Sequence, residues 1–219
     1  MDWSPLWISV KTAAVSTCLT FVLGIAAAKA VTSMKKGKAV ADSILSLPLV
    51  LPPTVLGFFL LLLFGKNSVL GRLLAEFDVT VIFTWQGAVI AATAASFPIM
   101  YRTVRGAFEQ VDRELVDAAV QLGCSRAQTF IYVWIPLAWQ GIASGLTMSF
   151  ARALGEFGAT IMIAGNLPGK TRTMSVAVYT AMQSGDRELA FRWTAVILAL
   201  SLAMLAAINF MTGRALKDK

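Results

Sequence analysis

Apolar residues run through this chain in long blocks, and one polar, regularly punctuated stretch interrupts them. Five blocks, 12–31, 43–65, 85–104, 137–164 and 193–211, are apolar enough over about 20 residues to cross a bilayer as helices. None alternates with the period of two that a membrane barrel strand requires, so their backbones must be satisfied within each segment, as helices. Between the third and fourth blocks lies 108–136, which reads differently. Asp112 can cap a first helix whose apolar residues Val111, Leu115, Ala118, Ala119 and Leu122 recur at i, i+4, i+7, i+8 and i+11. Gly123 follows, where a left-handed C-terminal residue is needed. Ser125 with Gln128 then forms a capping box opening a second short helix, 126–134, which Pro136 would close. Two caps and an apolar stripe in one loop predict a platform on which a soluble partner docks, rather than a solvated connection.

The blocks are not plain helices either. Pro48, Pro52 and Pro53 remove three backbone donors from the second block and predict a kink or break there, as a packing device or as a hinge. Pro98 in the third block admits the same two readings. In the fourth, Gly141, Gly145, Ser149 and Ala153 form a small-residue ridge that lets another helix approach closely. Gly145, Ser149, Arg152, Glu156 and Thr160 make an overlapping polar stripe if the block is one continuous helix. Arg152 and Glu156 are then one turn apart, within reach of an ion pair. An ionisable residue near the bilayer centre costs about 2.5–3.5 kcal/mol on insertion scales, so such a pair faces protein or a water-filled path. It is a lock between helices, a gate on a translocation path, or both. The stretch 173–184 is too short to span and is expected to lie at the outer interface or to re-enter.

Composition agrees with the membrane reading: 57% of residues are hydrophobic and 14% charged, and the mean hydropathy is +0.71. The expected fold class is therefore all-α, a polytopic membrane bundle of about five transmembrane helices, in a single domain over 1–219. Trp3, Trp7, Trp85, Trp134, Trp139 and Trp193 lie near block ends, as interfacial aromatics do. Lys29, Lys35, Lys36 and Lys38 follow the first block, Arg102, Arg105, Arg113 and Arg126 surround the polar stretch, and Arg214, Lys217 and Lys219 sit in the tail. The positive-inside rule makes those three regions cytoplasmic and puts the N-terminus outside, although Lys170, Arg172, Arg187 and Arg192 then lie on the outer side. The opening Met1-Asp2-Trp3 lacks a basic n-region and suggests an uncleaved anchor. The net charge of +7 fits this topology and contact with anionic membrane lipids; no nucleic-acid partner is expected.

Absences narrow the chemistry. With no His and only Cys18 and Cys124, neither a zinc site, a His general base nor an iron–sulfur cluster can be assembled, so no metal ligands and no catalytic residues are expected. No Gly-x-x-x-x-Gly-Lys-Ser/Thr loop occurs, so any ATP-driven activity needs a motor on another polypeptide.

Asp117-Ala118-Ala119, Gly123 and Val133-x-Ile135-Pro136 resemble, in type and spacing, the cytoplasmic loop of ABC-importer permeases. Asp stands at that motif's Glu, Val at its Ile and Ile at its Leu. The stretches 47–55, 150–160 and 166–173 are similar to those of molybdate permeases in particular, with tungstate, sulfate and thiosulfate permeases as the alternatives. The resemblance implies the permease subunit of an importer in a bacterial cytoplasmic (inner) membrane, forming the oxyanion's path without an ATPase site of its own. It implies coupling contacts at Glu114, Asp117, Ala118, Ala119, Gly123 and Pro136. The polar stripe and the broken second block themselves make Ser149, Arg152, Glu156 and Thr160, with Pro48, Pro52 and Pro53, the candidate pathway or gate residues. The implied partners are a second copy of the chain, a dimer of ATP-binding subunits that hold ATP and Mg, and an extracytoplasmic oxyanion-binding protein. A membrane scaffold or channel without ATP coupling is the remote alternative.

Overall fold

In the computed structural model, which describes residues 2–217, with side chains through residue 204 and at Ala206, all regular structure is helical. Lys219 and the side chains of Arg214 and Lys217, part of the expected basic tail, lie outside the described residues. The first block is α1, Ser4–Ser33, which starts earlier than its apolar core because the Asp2 carboxylate accepts the Ser4 N–H at 2.9 Å. Gly37, at φ +72°, turns the chain into α2, Lys38–Val50. Pro52 forces its predecessor Leu51 into extended backbone, φ −67° and ψ 136°, so the second block breaks and restarts as α3, Pro53–Phe64. Of the described helices, α1 alone is long and apolar enough to cross a bilayer by itself; α2 and α3 qualify only together.

The connection 66–84 contains an unexpected helix, α4, Val69–Glu76, whose N-cap Ser68 accepts the Gly71 N–H at 2.8 Å. Helix α5, Trp85–Glu109, runs through Pro98 without a break. The polar stretch supplies α6, Arg113–Gln121, and α7, Arg126–Thr129; a π-helical turn, Phe130–Trp134, leads to α8, Ile135–Leu137. The fourth block does not form one helix. It divides into α9, Trp139–Leu154, and α10, Gly158–Ile163, so the stripe expected from Gly145 to Thr160 is interrupted at Gly155–Phe157. Gly155 and Gly158 bracket that break, and Gly has little to gain from staying helical. The stretch after it forms α11, Met174–Gln183, capped by Thr173, and the chain closes with α12, Arg187–Lys217.

The chain divides into two compact units. One comprises residues 1–13, 53–91 and 154–219. In it α3 and α10 meet at glycines: a Cβ on Gly57 would stand 2.7 Å from Met162 Cβ, and one on Gly158 2.6 Å from Pro53 Cβ. The two restarted helices therefore touch where each begins. Ser9 accepts the Met174 N–H at 2.8 Å, the Trp85 indole donates to Thr12 at 2.9 Å, and Trp3 meets Trp193 edge-on at 6.1 Å.

The other unit comprises residues 14–52 and 92–153. Its core is Ala28, Val31, Met100, Tyr101, Val104, Phe108, Val111, Ala138 and Ile142. Here the small-residue ridge of the fourth block finds its neighbour. A Cβ on Gly141 would collide with Ala107, one on Gly145 would stand 3.0 Å from Met100 Sδ, and the Ser149 hydroxyl lies 3.5 Å from the Ser96 carbonyl it donates to. The ridge is the seat of α9 on α5, where small residues let two backbones close together.

Candidate coupling segment and intramembrane site

The polar stretch adopts the local geometry its residue types dictate. Asp112 accepts the Glu114 N–H at 2.9 Å and opens α6. At the other end Gly123 takes φ +87°, its N–H reaches the Val120 carbonyl at 3.0 Å and the Cys124 N–H reaches that of Ala119 at 3.1 Å, which satisfies the last carbonyls of α6. Ser125 and Gln128 form the reciprocal capping box, Gln128 Oε1 accepting the Ser125 N–H at 2.8 Å and Ser125 Oγ the Gln128 N–H at 3.3 Å.

The second helix does not end at Pro136. After α7 the Ile135 N–H bonds five residues back, to Phe130, and the chain continues through Pro136 into α8. A proline offers no N–H and crowds the carbonyl four residues earlier, and the widened turn absorbs both. The segment is thus a bulged helix running into α9, with Ala138 as its only joint.

Glu114, Asp117, Ala118, Gly123 and Pro136 are exposed and Ala119 is half-buried. Around them Leu115, Val120, Ile131 and Tyr132 are also exposed, and Leu122 is 85% so. Outward apolar residues between capped helices are the surface a soluble partner would cover. Facing inward, Phe108 meets Phe130 and Trp134 edge-on, with ring centroids 5.9 and 5.4 Å apart. The Lys29 ammonium of α1 sits 3.4 Å from the Trp134 ring centroid and 5.4 Å from that of Phe130.

A second anchor, not anticipated from the pattern, joins α2 to the end of α5. Lys38 Nζ pairs with Glu109 at 2.7 Å, Arg105 Nε with the same carboxylate at 3.1 Å, and Arg105 with Asp42, which also accepts the Tyr101 hydroxyl at 2.9 Å. The hydrogen bond from Lys38, helped by the one from Arg105 Nε and opposed by burial, holds the Glu109 carboxyl below the usual carboxylate range. For Asp42 burial pushes upward, and the bonds from Arg105 and Tyr101 outweigh it, leaving it lowered too. The signal in the sequence was Lys38–Asp42 and Tyr101–Arg105–Glu109, both at i+4 spacing, visible only once two helices are known to be neighbours.

Of the proposed pathway residues, Ser149 is buried against α5 and Arg152 is half-buried near the end of α9. Glu156, 2% exposed, lies in the break and accepts the Ala159 N–H at 2.8 Å, so its carboxylate caps α10. Thr160 is buried one turn further on, Pro48 is half-buried within α2, and Pro52 and Pro53 are exposed at the second break. The 166–173 stretch is locked on itself: Arg172 Nε donates to Asn166 Oδ1 at 2.6 Å, and Asn166 Nδ2 to Thr180 Oγ1 at 2.9 Å. Among the described residues no group of His, Cys, Asp and Glu could hold a metal ion.

The family described as binding-protein-dependent transport system inner membrane component matches residues 20–215. The putative molybdenum transport system permease protein YvgM of Bacillus subtilis (strain 168) is 42% identical over 209 residues, covering 94% of this chain and 92% of that protein. The molybdenum transport system permease protein ModB of Escherichia coli (strain K12) is 42% identical over 207 residues, covering 93% and 90%. The solved MetNI methionine ABC transporter, in inward-facing conformations, has a chain that matches with a TM-score of 0.73 at 17% identity, over 94% of this chain and 92% of that one. At that identity the match speaks for the fold.

Proposed function

This chain belongs to the binding-protein-dependent transport system inner membrane component family, and we propose that it is the permease subunit of an ATP-driven oxyanion importer whose substrate is molybdate. It sits in the inner membrane with its N-terminus outside, crosses five times as one transmembrane domain, and presents residues 108–136 to the cytoplasm. It works as a homodimer above two ATP-binding subunits, which hold ATP and Mg, and receives its anion from an extracytoplasmic binding protein. It carries no hydrolytic site itself.

The observation that carries this reading is the coupling segment. Two capped helices joined by a left-handed Gly123 expose Leu115, Leu122 and Tyr132 outward while Phe130 and Trp134 are tied into α1 and α5. A partner that moves this segment therefore moves the helices behind it. Closure of the ATPases swings the segment, and packed helices rock between inward- and outward-open arrangements. Molybdate is favoured over tungstate, sulfate and thiosulfate because the relatives at 42% identity carry molybdenum in their names.

The proline break before Pro53 and the glycine break before Gly158 supply the joints for that rocking, with Arg152 and Glu156 placed on either side of where α9 ends. We assign Ser149, Arg152, Glu156, Thr160, Pro48, Pro52 and Pro53 to the gate. The test is ATPase activity of the reconstituted complex with its binding protein across molybdate, tungstate and sulfate. Stimulation greatest with molybdate is expected, and stimulation by sulfate alone would move the substrate assignment.

A further inference from the structure

Beside the coupling segment, α5 and α9 flank a groove of about 630 Å³ whose walls carry donors without a hydrogen-bond partner among the described residues, although the charge of Arg102 also acts on the Asp42 carboxylate of α2. Arg102 and Gly106 on α5 and Gln110 just past its end come at four-residue spacing, with Thr103 beside them; along α9 Gln140 and Ser144 do the same. Among the described residues none of the side chains of Arg102, Thr103, Gln110, Gln140 and Ser144 makes a hydrogen bond or an ion pair. The carboxylate in the lining, Asp112, is already engaged by the Glu114 N–H. Gly106 forms an open floor, for a Cβ there would meet nothing within 4 Å.

Bare polar groups on the helices of a membrane protein face a water-filled space rather than lipid. A concave surface with one guanidinium, two amides and two hydroxyls, and its carboxylate occupied elsewhere, suits a ligand that only accepts hydrogen bonds. The guanidinium fork matches a pair of oxygens of a tetrahedral anion. We infer that this groove is a binding site for a tetrahedral oxyanion, the transported anion at its last stop before release. This rests on the permease reading and adds a site to it. Arg102 is the one cation of the lining and the Asp112 carboxylate keeps its negative charge beside it, so the site is weak, as an exit point must be. Its wall includes Leu115 of α6, so an occupant touches the helix that the ATPase moves.

The groove can be read without transport. In the assembled permease–ATPase complex in detergent, with Cys18→Ala and Cys124→Ser, Gly106→Cys places a reporter thiol on the groove floor, and its reaction rate with a maleimide is followed. Sodium molybdate and sodium sulfate are compared with sodium chloride of equal ionic strength. An oxyanion at about three times its dissociation constant should slow the reaction about fourfold. Adding Arg102→Gln should abolish the slowing, and Gln140→Leu, the substitute if that variant fails to assemble, should weaken it. An unchanged rate with both oxyanions, or equal slowing in the Arg102→Gln complex, overturns the proposal. A lipid phosphate could reach the same donors, so the complex is also placed in phosphatidylglycerol and phosphatidylcholine nanodiscs. Slowing that follows the anionic lipid, with none added by molybdate, makes the occupant a headgroup and sinks the free-anion site. ATP-driven uptake by the unmodified complex is scored separately, so loss of the permease reading and loss of the groove are distinct results.

Discussion

Gly123 shows how one residue can set the direction of a whole segment. Its φ of +87° is a region that side-chain-bearing residues enter at a cost of roughly 1–2 kcal/mol, and a Cβ there would touch nothing within 4 Å. The penalty of substitution is therefore purely one of backbone. Gly123→Val should insert in the membrane and express, yet lose ATPase association or uptake, while Gly123→Asn, which tolerates the left-handed region, should keep most of both. Equal, normal uptake in the two variants would refute this. Lys29 acts at the same scale. Its ammonium over the Trp134 face contributes about 2 kcal/mol when shielded from water. Lys29→Met should lower the number of anions moved per ATP hydrolysed while leaving assembly intact, and Lys29→Arg, which keeps the cation, should restore it. If both variants couple like the wild type, the contact is only packing.

At the scale of elements, much was legible because short-range chemistry decides it. Asp112, Gly123 and the Ser125–Gln128 box were readable since a cap needs only its own neighbours. The break at Pro52 was legible for the same reason. Pro136 misled, because a proline stops a helix only if the turn before it cannot widen, and the π-helical turn at Phe130–Trp134 is a response no residue type announces. The division of the fourth block into α9 and α10 was hidden because its polar residues from Gly145 to Thr160 keep the spacing of one continuous helix, and the carboxylate of Glu156 turned out to cap the second piece.

That cap refines what the gate should do. A well-packed Arg152→Met/Glu156→Leu double variant removes both charges, so no charge is left without its counterpart, but it leaves the Ala159 N–H without its cap at a cost of about 1–3 kcal/mol. It should assemble with its ATPase yet transport poorly, or hydrolyse ATP without transport; a fully active double variant would reduce the two residues to a lock. The α2–α5 ion network gives a pH prediction. Both Asp42 and Glu109 ionise below the ordinary carboxylate range in the folded chain. Their contribution is therefore complete above about pH 5 and disappears as pH falls from there through the lowered folded values. The melting temperature of the complex in detergent should hold down to that point and then drop, and Asp42→Asn should flatten part of the drop. An equal drop in the variant would show that this network is not its source.

For the molecule as a whole, the small-residue ridge carries the clearest lesson. Gly141, Gly145 and Ser149 announced a close neighbour, and only the fold reveals that neighbour to be α5 of the same chain. With that face spent, the open polar face of α9 is the one bearing Gln140 and Ser144, on the groove. A single helix thus packs on one side and meets water on the other. The four-residue spacing of the ridge marks the packed face in the sequence, but Gln140 and Ser144 alone do not announce that the other side is open. The outward-facing segment is continuous with the helix that lines the groove, which is the arrangement the proposed coupling requires. The most direct test is uptake by the chain reconstituted in liposomes with its ATP-binding subunit and its oxyanion-binding protein. Molybdate entry that requires ATP hydrolysis and is lost with Gly123→Val is the predicted result; molybdate entry at the same rate without ATP, or none at all from a complex that assembles and hydrolyses ATP, would contradict it.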